Sequence, residues 1–255
     1  MSHDKKKEIF NDNRIEGRNP VLEVLKTDRD INKILIANGN RDGSINKIIS
    51  IAKEKGIVIQ YVEKSVIEKL STTNSAQGII ADVSVKNYVE LDDILNNISN
   101  NNKVPFLIIL DGITDPQNLG AIIRTAETVG VQGIVIPKRR SVGLNSIVSK
   151  VSAGAVEHVS VSRVVNISNT IDYLKEKNIW IVGSDIEDGE VFYKSDLKIP
   201  LALVIGGEGK GISRLVKEKC DFTVNIPMVG KISSLNASVA GALIMYEIFR
   251  QRGIS

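Results

Sequence analysis

The sequence predicts an α/β protein in which a small N-terminal αβα domain precedes a larger domain built on a parallel sheet. Short, continuously apolar segments alternate with helical ones over most of the chain, and strands buried on both faces of a sheet have this composition. Residues 96–102 break the alternation with a run rich in Asn and Ser that has no apolar periodicity. We therefore expect a flexible tail at 1–13, an N-terminal domain at 14–85, a linker at 86–103 and a C-terminal domain at 104–255.

The N-terminal domain is expected to alternate helices with strands. Asn19 is expected to cap the first helix and to leave Pro20 at the first helical position, where a missing N–H costs no hydrogen bond. Runs of apolar residues indicate the strands, and Gly56 is expected to end the second helix. The expected strands are 33–37, 57–62 and 78–83, and the later helices are 44–55 and a short one from Ser65.

The C-terminal domain is expected to be a parallel sheet with helices on both faces. Ligands of such a sheet bind beyond the carboxyl ends of its strands, so the loops that follow the strands are the candidate site. The expected strands are 106–110, 133–137, 159–162, 179–183, 201–205 and 222–226, and the expected helices are 120–129, 145–155, 165–177, 212–219 and 235–250.

Composition excludes several classes of protein. The 255 residues are 42% hydrophobic and 25% charged, which is enough apolar material for two ordinary domains. We expect a cytoplasmic protein, because the charged start is not followed by an apolar export signal and no apolar run approaches the length of a membrane span. The net charge of +3 indicates nucleic acid only weakly, so such contacts must come from local patches. Cys220 is the only cysteine, so it cannot form an internal disulfide, and with only two histidines the chain cannot build a Cys/His zinc site. We therefore expect no metal, and we expect Cys220 to be a small, buried residue near the end of a helix.

The first candidate loop follows the strand at 106–110. A polar turn at Asp115-Pro116 leads into a helix that carries Asn118 and Arg124. Two interpretations of Arg124 are open. Its apolar stem could cover the helix while its charged head reaches water, or its guanidinium could bind a phosphate or a ribose.

The second candidate loop is the glycine-rich segment 206–211, which follows a buried strand. Its four glycines let a ligand approach the backbone closely. The loop is not a phosphate-binding P-loop, because Gly211 stands where Ser or Thr is needed. It is not a dinucleotide-binding fingerprint either, because Ile212 replaces the third glycine. A tight connection between strand and helix is the alternative, but it does not need so many glycines around the carboxylate of Glu208.

The third candidate loop leads from Pro227 to the helix at 235–250, which Ser233 or Ser234 is expected to cap. Capping needs one such side chain and does not explain Asn236 beside it, whereas a helix N-terminus offers spare N–H donors to a ligand. An apolar stripe predicts that the helix packs in the core. The stripe consists of Leu235, Val239, Leu243, Tyr246 and Phe249.

In this order, the three loops resemble the three motifs of the SpoU (TrmH) family of RNA ribose 2′-O-methyltransferases. The resemblance covers residues 104–252. The N-terminal part, at 15–21 and 77–79, resembles the ribosomal-protein-like RNA-binding domain of the branch that modifies a guanosine of 23S ribosomal RNA. The residues that carry the family motifs are Asn118, Gly120 and Arg124-Thr125-Ala126, then Gly206-Gly207-Glu208-Gly209 with Gly211, and then Ile226-Pro227-Met228 with Ser233-Ser234-Leu235-Asn236 and Ser238.

The resemblance implies a fold, a cofactor and an assembly. The fold is the SPOUT methyltransferase fold, whose C-terminal chain forms a trefoil knot. S-adenosylmethionine binds in the knot, RNA is the substrate, and the family works as a homodimer, for which the helix at 235–250 is the expected interface element. The implied cofactor-binding residues are Gly206, Gly207, Ile226, Met228, Leu235 and Gly183.

The resemblance also implies catalytic roles. Arg124 matches the family's catalytic arginine, and because a guanidinium stays protonated, we expect it to position the ribose or phosphate and to stabilise the developing alkoxide rather than to act as a base. Glu208 is expected to orient Arg124 or loop N–H groups. Asn118, Ser234 and Asn236 are expected to supply polar contacts around the hydroxyl group and the methionine tail.

The sequence leaves several choices open. Lys138-Arg139-Arg140 follows a strand and is interpreted either as a segment that binds RNA phosphates or as a solvated basic turn. The leading hypothesis for the substrate is a guanosine in large-subunit ribosomal RNA. Alternatives are transfer RNA, an adenosine whose methylation gives antibiotic resistance, and a non-catalytic RNA-binding assembly factor. The presence of Arg124, Glu208 and Asn236 argues against the last of these.

Overall fold

The computed structural model describes residues 13–39, 43–71, 76–185, 189–209, 211–231 and 234–253. The expected flexible tail lies outside these residues, apart from residue 13. The chain forms two compact units, one reaching to Asn87 and including Leu144–Ser146, the other made of Tyr88–Gly143 and Ile147–Ser255. Within the described ranges, no helix is long and apolar enough to cross a membrane.

The first unit contains a four-stranded sheet. Strand β2 pairs in parallel with β3 and antiparallel with β4, and β1 adds to the free edge of β4, which gives the order β1-β4-β2-β3. Apolar residues of β2, β4 and the first two helices form its main core. The elements are β1 (Arg14–Glu16), α1 (Arg18–Val24), β2 (Ile31–Ala37), α2 (Gly43–Glu54), β3 (Ile59–Val62), α3 (Lys64–Leu70) and β4 (Ile79–Val83).

The first helix begins earlier than the sequence predicted. Helix α1 starts at Arg18, and its N-cap position is Gly17, whose φ of 92° lies in a region that side chains disfavour. The assignment of Asn19 as the cap was therefore wrong, and Pro20 is the third helical residue. Proline is still tolerated there, because the N–H groups of the first helical turn have no intrahelical partner.

The second unit contains a seven-stranded sheet in which every pairing is parallel, as predicted. The strand order is β7-β6-β5-β10-β8-β11-β9. The central neighbours β5 and β10 are almost wholly buried, which explains their continuous apolar composition. The strands are β5 (Phe106–Asp111), β6 (Gly133–Pro137), β7 (Val161–Val164), β8 (Trp180–Asp185), β9 (Glu190–Val191), β10 (Leu201–Gly206) and β11 (Phe222–Asn225).

The helices of the second unit include one that the sequence did not predict. The Asn-rich segment expected to be a linker lies mostly in helix α4, in which Ile94 and Ile98 are four residues apart and buried in the core. This burial outweighs the low helix propensity of Asn, and Asp92 and Asp93 favour the helix N-terminus. The helices are α4 (Leu91–Asn100), α5 (Pro116–Thr128), α6 (Ser146–Val151), α7 (Ile167–Glu176), α8 (Arg214–Lys217) and α9 (Ala237–Gln251), with a 3₁₀ turn at Ala155–Glu157.

The C-terminal helix α9 packs with a different face from the one predicted. Gly241 sits against β10, because a Cβ atom there would lie 2.7 Å from Cδ1 of Ile205. Its neighbours Ile244, Met245 and Ile248 are buried. Most of the predicted apolar stripe is exposed instead, including Val239 at 47% and Tyr246 at 51%, so the expectation of core packing for this stripe was wrong.

Candidate functional site

Three side chains from the three predicted loops meet at the carboxyl edge of the large sheet. Nδ2 of Asn236 donates to Oδ1 of Asn118 at 2.9 Å and to Oε1 of Glu208 at 2.6 Å. Nδ2 of Asn118 donates to the same carboxylate oxygen at 3.0 Å. Asn118 is separated in the sequence from Glu208 by 90 positions and from Asn236 by 118. The three side chains nevertheless form one closed set of hydrogen bonds, which we call the polar triangle.

Two helix N-termini hold the asparagines of the triangle. Asp115 caps α5 by accepting a hydrogen bond from the Gln117 N–H at 3.1 Å, and Pro116 takes the first helical position. Asn118, in the first turn of α5, is 5% exposed. Its amide therefore needs its partners, since an unsatisfied buried polar group is costly.

Asn236 is itself the cap of α9. Its Oδ1 accepts from the N–H groups of Ser238 at 2.9 Å and Val239 at 3.3 Å, and from the Ser238 hydroxyl at 2.6 Å. The prediction of a cap at Ser234 was wrong, and Ser233 lies outside the described residues. The amide of Asn236 thus has two structural roles: its oxygen caps the helix, and its nitrogen donates to Asn118 and Glu208.

The glycine loop is folded back tightly on its neighbours. A Cβ atom on Gly206 would lie 2.1 Å from the carbonyl carbon of Gly211, and one on Gly207 would lie 2.5 Å from the carbonyl oxygen of Gly112. The Gly207 N–H donates to the Asp111 carbonyl at 2.9 Å, which fixes the loop against the end of β5. Only glycine fits at 206 and 207, because backbone occupies the space that a side chain needs.

A cavity of about 620 Å³ opens beside this loop. Its walls include five of the six residues predicted to bind the cofactor: Gly206, Gly207, Ile226, Met228 and Leu235. Glu208, Ser234 and Asn236 also line it.

The sixth predicted residue, Gly183, is not part of the cavity lining. A Cβ atom built on it would lie 3.0 Å from Cys220 Sγ, so it faces the packing beneath α8. The next two residues of β8, Ser184 and Asp185, line the cavity instead.

An ion pair in the cavity wall was missed by the sequence argument. Nζ of Lys217 lies 2.7 Å from Oδ2 of Asp185, and both side chains are partly buried. Asp185 is the last residue of β8. It could have been identified from the sequence, because ligands of a parallel sheet bind beyond the carboxyl ends of its strands. Lys217, near the end of α8, carries no comparable signal in the sequence. With Ile205 and Ile226 in the same walls, the cavity suits a ligand that combines an apolar or heteroaromatic part with charged groups.

Arg124 stands apart from the triangle. It lies on α5 six residues after Asn118, about 9 Å further along the helix axis, and its side chain is exposed. Within the described ranges it makes no hydrogen bond or ion pair. Among the described residues, Glu208 accepts from the two asparagine amides and has no hydrogen bond or ion pair with Arg124, so the structure shows it holding the triangle, and its orienting role stays a prediction.

Cys220 is partly buried after α8, and its thiol donates to the Val216 carbonyl. Burial raises the pKa of Cys220 to about 11, so the thiol is protonated at neutral pH. A protonated thiol is a poor nucleophile, which agrees with the packing role expected for this residue.

The comparisons with known proteins place the chain in a family. The model of the SpoU rRNA methylase family matches residues 105–246, and a model described as RNA 2′-O ribose methyltransferase substrate binding matches residues 14–89. The Bacillus subtilis protein YacO, named provisionally as a TrmH family tRNA/rRNA methyltransferase, is 50% identical over 236 residues, which are 92% of this chain and 94% of YacO.

Solved structures have the same fold. The SpoU methyltransferase AviRb from Streptomyces viridochromogenes, in complex with AdoMet (S-adenosylmethionine), has a TM-score of 0.59 at 24% identity and covers 94% of this chain and 90% of its own. The AdoMet-bound rRNA methyltransferase from Sinorhizobium meliloti has a TM-score of 0.59 at 21% identity, with coverages of 93% and 86%. The chain belongs to the SpoU/TrmH family of RNA ribose methyltransferases, as its three motifs predicted.

Proposed function

We propose that this chain transfers the methyl group of S-adenosylmethionine to the ribose 2′-hydroxyl of a guanosine in large-subunit ribosomal RNA. The observation that carries the proposal is the polar triangle of Asn118, Glu208 and Asn236. Two of its members, Glu208 and Asn236, line the cavity together with Gly206, Ile226, Met228 and Leu235. The triangle joins one residue from each family motif at the place where the fold binds ligands.

The cavity fits S-adenosylmethionine in size and in chemistry. Its volume of about 620 Å³ lies within the range of small-molecule sites. Ile226, Met228 and Leu235 offer apolar surface for an adenine ring, and the absence of side chains at Gly206 and Gly207 gives a ligand access to backbone groups. When bound, the cofactor supplies a methyl group that is already electrophilic, so the protein has to align the acceptor hydroxyl and ease the loss of its proton.

Arg124 is the group that we assign to the acceptor ribose. Its exposed guanidinium has no partner among the described residues, so it is free to bind a phosphate or a ribose oxygen of the RNA. A guanidinium remains protonated, which suits it to stabilise a developing alkoxide rather than to remove a proton. Asn118 and Glu208 fix the first turn of the same helix, and we assign them the task of holding Arg124 at a constant distance from the cavity.

The choice of ribosomal RNA rests on the N-terminal unit and on similar proteins. Residues 14–89 match the substrate-binding family model, and the matching catalytic model is named for rRNA methylases. YacO is named for both tRNA and rRNA, so transfer RNA is the second candidate substrate. We assign RNA binding to residues 14–85 and methyl transfer to residues 104–255.

Transfer of labelled methyl groups tests this function. The purified chain is incubated with radiolabelled S-adenosylmethionine and unmodified transcripts of 23S rRNA and of tRNA, and the position of 2′-O-methylation is then mapped. Methylation of a guanosine in the 23S transcript supports the proposal. Methylation of tRNA alone would refute the assigned substrate, and cofactor binding without transfer to either RNA would favour a non-catalytic assembly factor.

We also propose a homodimer with α9 in its interface. Helix α9 exposes Val239, Leu243 and Tyr246, which form an apolar surface unusual for a solvent-facing helix. Sedimentation of the chain should give twice the monomer mass, and Leu243→Glu should yield monomers. Leu215→Glu is the matched control, because Leu215 is also exposed but lies on α8. A monomeric wild type would refute the dimer.

A further inference from the structure

The loop that leaves β6 carries three consecutive cations, Lys138, Arg139 and Arg140, which we call the basic turn. Arg139 and Arg140 are exposed, and none of the three forms an ion pair with another described residue. Other cations of the same unit do form such pairs, for example Lys175 with Asp221 and Lys217 with Asp185. The basic turn therefore presents positive charge that the described part of the protein does not neutralise.

The backbone of the basic turn is held at both ends. The Lys138 N–H donates to the Val164 carbonyl at 2.8 Å, and Nη2 of Arg163 donates to the Lys138 carbonyl at 3.3 Å. At the other end, the Val142 N–H donates to the Ile113 carbonyl at 3.0 Å. A turn anchored in this way loses little conformational entropy when it binds a ligand.

The same hydrogen bonds place the basic turn beside the candidate active site. Ile113 lies between β5 and α5, the helix that carries Arg124, and Gly207 of the glycine loop is bonded to Asp111 at the end of β5. In the sheet, β5 separates β6 from β10, so the carboxyl end of β6 is about 10 Å from that of β10. The cavity lies beside the loop that follows β10, and the basic turn follows β6, so the end of β5 lies between them at the carboxyl edge.

We propose that the basic turn binds the phosphates of the RNA segment next to the methylated nucleotide. This inference rests on the proposed function, because it takes the ribose at the cavity as its reference point. Arginine pairs with phosphate through two parallel hydrogen bonds, and such contacts fix the register of a strand without reading its bases. The basic turn thus sets the path of the RNA across the carboxyl edge from β6 towards β10.

The test compares two double variants that remove the same charge. Arg139→Ala/Arg140→Ala neutralises the basic turn. Lys103→Ala/Lys198→Ala is the control, because both lysines are exposed and precede β5 and β10, at the amino edge of the same sheet. Each protein is measured as the full chain for binding of an unmodified 23S rRNA transcript at several salt concentrations, for the KM and kcat of methyl transfer, and for S-adenosylmethionine affinity.

The turn variant should bind the transcript on the order of tenfold more weakly, and its plot of log affinity against log salt should be shallower by about 1.5, as expected for two lost phosphate contacts. Its KM for RNA should rise while kcat and cofactor affinity stay within about twofold. Arg139→Lys/Arg140→Lys should recover most of the binding. Equal losses in both alanine variants, or no loss in the turn variant, would overturn the proposal.

Failure of the proposed function gives a different pattern. If the wild-type chain binds the transcript but methylates neither rRNA nor tRNA, the proposed function fails, while a shallower salt dependence in the turn variant still supports a phosphate contact. If neutralising the turn changes only the association of the chain with itself or with an acidic protein, the RNA contact is refuted.

Discussion

Two substitutions of Asn236 separate its role as the cap of α9 from its role in the polar triangle. Asn236→Ala removes the cap of α9 and the bridge to Asn118 and Glu208. Loss of the cap costs about 1 kcal/mol. Loss of the two bridging hydrogen bonds, one to the exposed carboxylate of Glu208 and one to the buried amide of Asn118, adds about 1 kcal/mol each. The free energy of unfolding should therefore fall by about 3 kcal/mol, a change of roughly 150-fold in the folding equilibrium.

Asn236→Asp is the matched variant. Aspartate is as good a helix cap as asparagine, so the loss of stability should be smaller, but it has no N–H to donate and places a second carboxylate beside Glu208. Methyl transfer should fall at least tenfold in both variants, because the triangle is broken in each.

Stability is measured by urea unfolding followed through the fluorescence of Trp180, the one tryptophan of the chain, which lies in β8 of the same unit. Activity is measured by methyl transfer to the RNA transcript. Wild-type kcat in Asn236→Asp would refute the role of the triangle, and equal stability of Asn236→Ala and the wild type would refute the capping argument.

Three further predictions follow from single positions. Arg124→Ala should reduce methyl transfer by at least about a hundredfold while S-adenosylmethionine affinity, measured by calorimetry, stays within a few-fold, and full activity would refute its assigned role. Gly206→Ala should weaken cofactor binding at least tenfold, because its Cβ atom would meet the Gly211 backbone, whereas Gly230→Ala, with open space around it, should bind normally; equal affinities would contradict the steric argument. The raised pKa of Cys220, from 9.0 to about 11, stabilises the fold below pH 9, and this contribution is lost as the pH rises through about 11. Urea unfolding at pH 8, 9.5 and 11 should show that the free energy of unfolding declines with pH in the wild type and declines less in Cys220→Ala. Identical pH profiles of the two proteins would argue against burial as the cause of the raised pKa.

The parts of the fold that follow from hydrophobic burial could be predicted from the sequence. Strands β5 and β10 are buried on both faces, so their composition indicates a parallel sheet without any further information. The parallel sheet then places the loops after its strands at one edge, which is why Asn118, Glu208 and Asn236 could be singled out before their contacts were known.

The parts that depend on partners distant in sequence could not be predicted. Helix α4 forms because Ile94 and Ile98 meet a core built by later segments, and local propensity alone favours a linker. The stripe of α9 was assigned to the core because periodicity identifies an apolar face but not what covers it. The ion pair of Asp185 and Lys217 joins a strand end to a helix 32 residues later, and no spacing rule predicts such a pair.

The double use of Asn236 has a consequence for biosynthesis. The residue that completes the polar triangle follows every described strand of the large sheet and is oriented only when α9 begins to form. Chains emerge from the ribosome from the N-terminus, so the first unit and the strands of the large sheet are translated before the polar triangle can close. A nascent chain in which α9 has not yet formed therefore lacks the closed triangle, and the candidate site is completed only after both sheets have been synthesised.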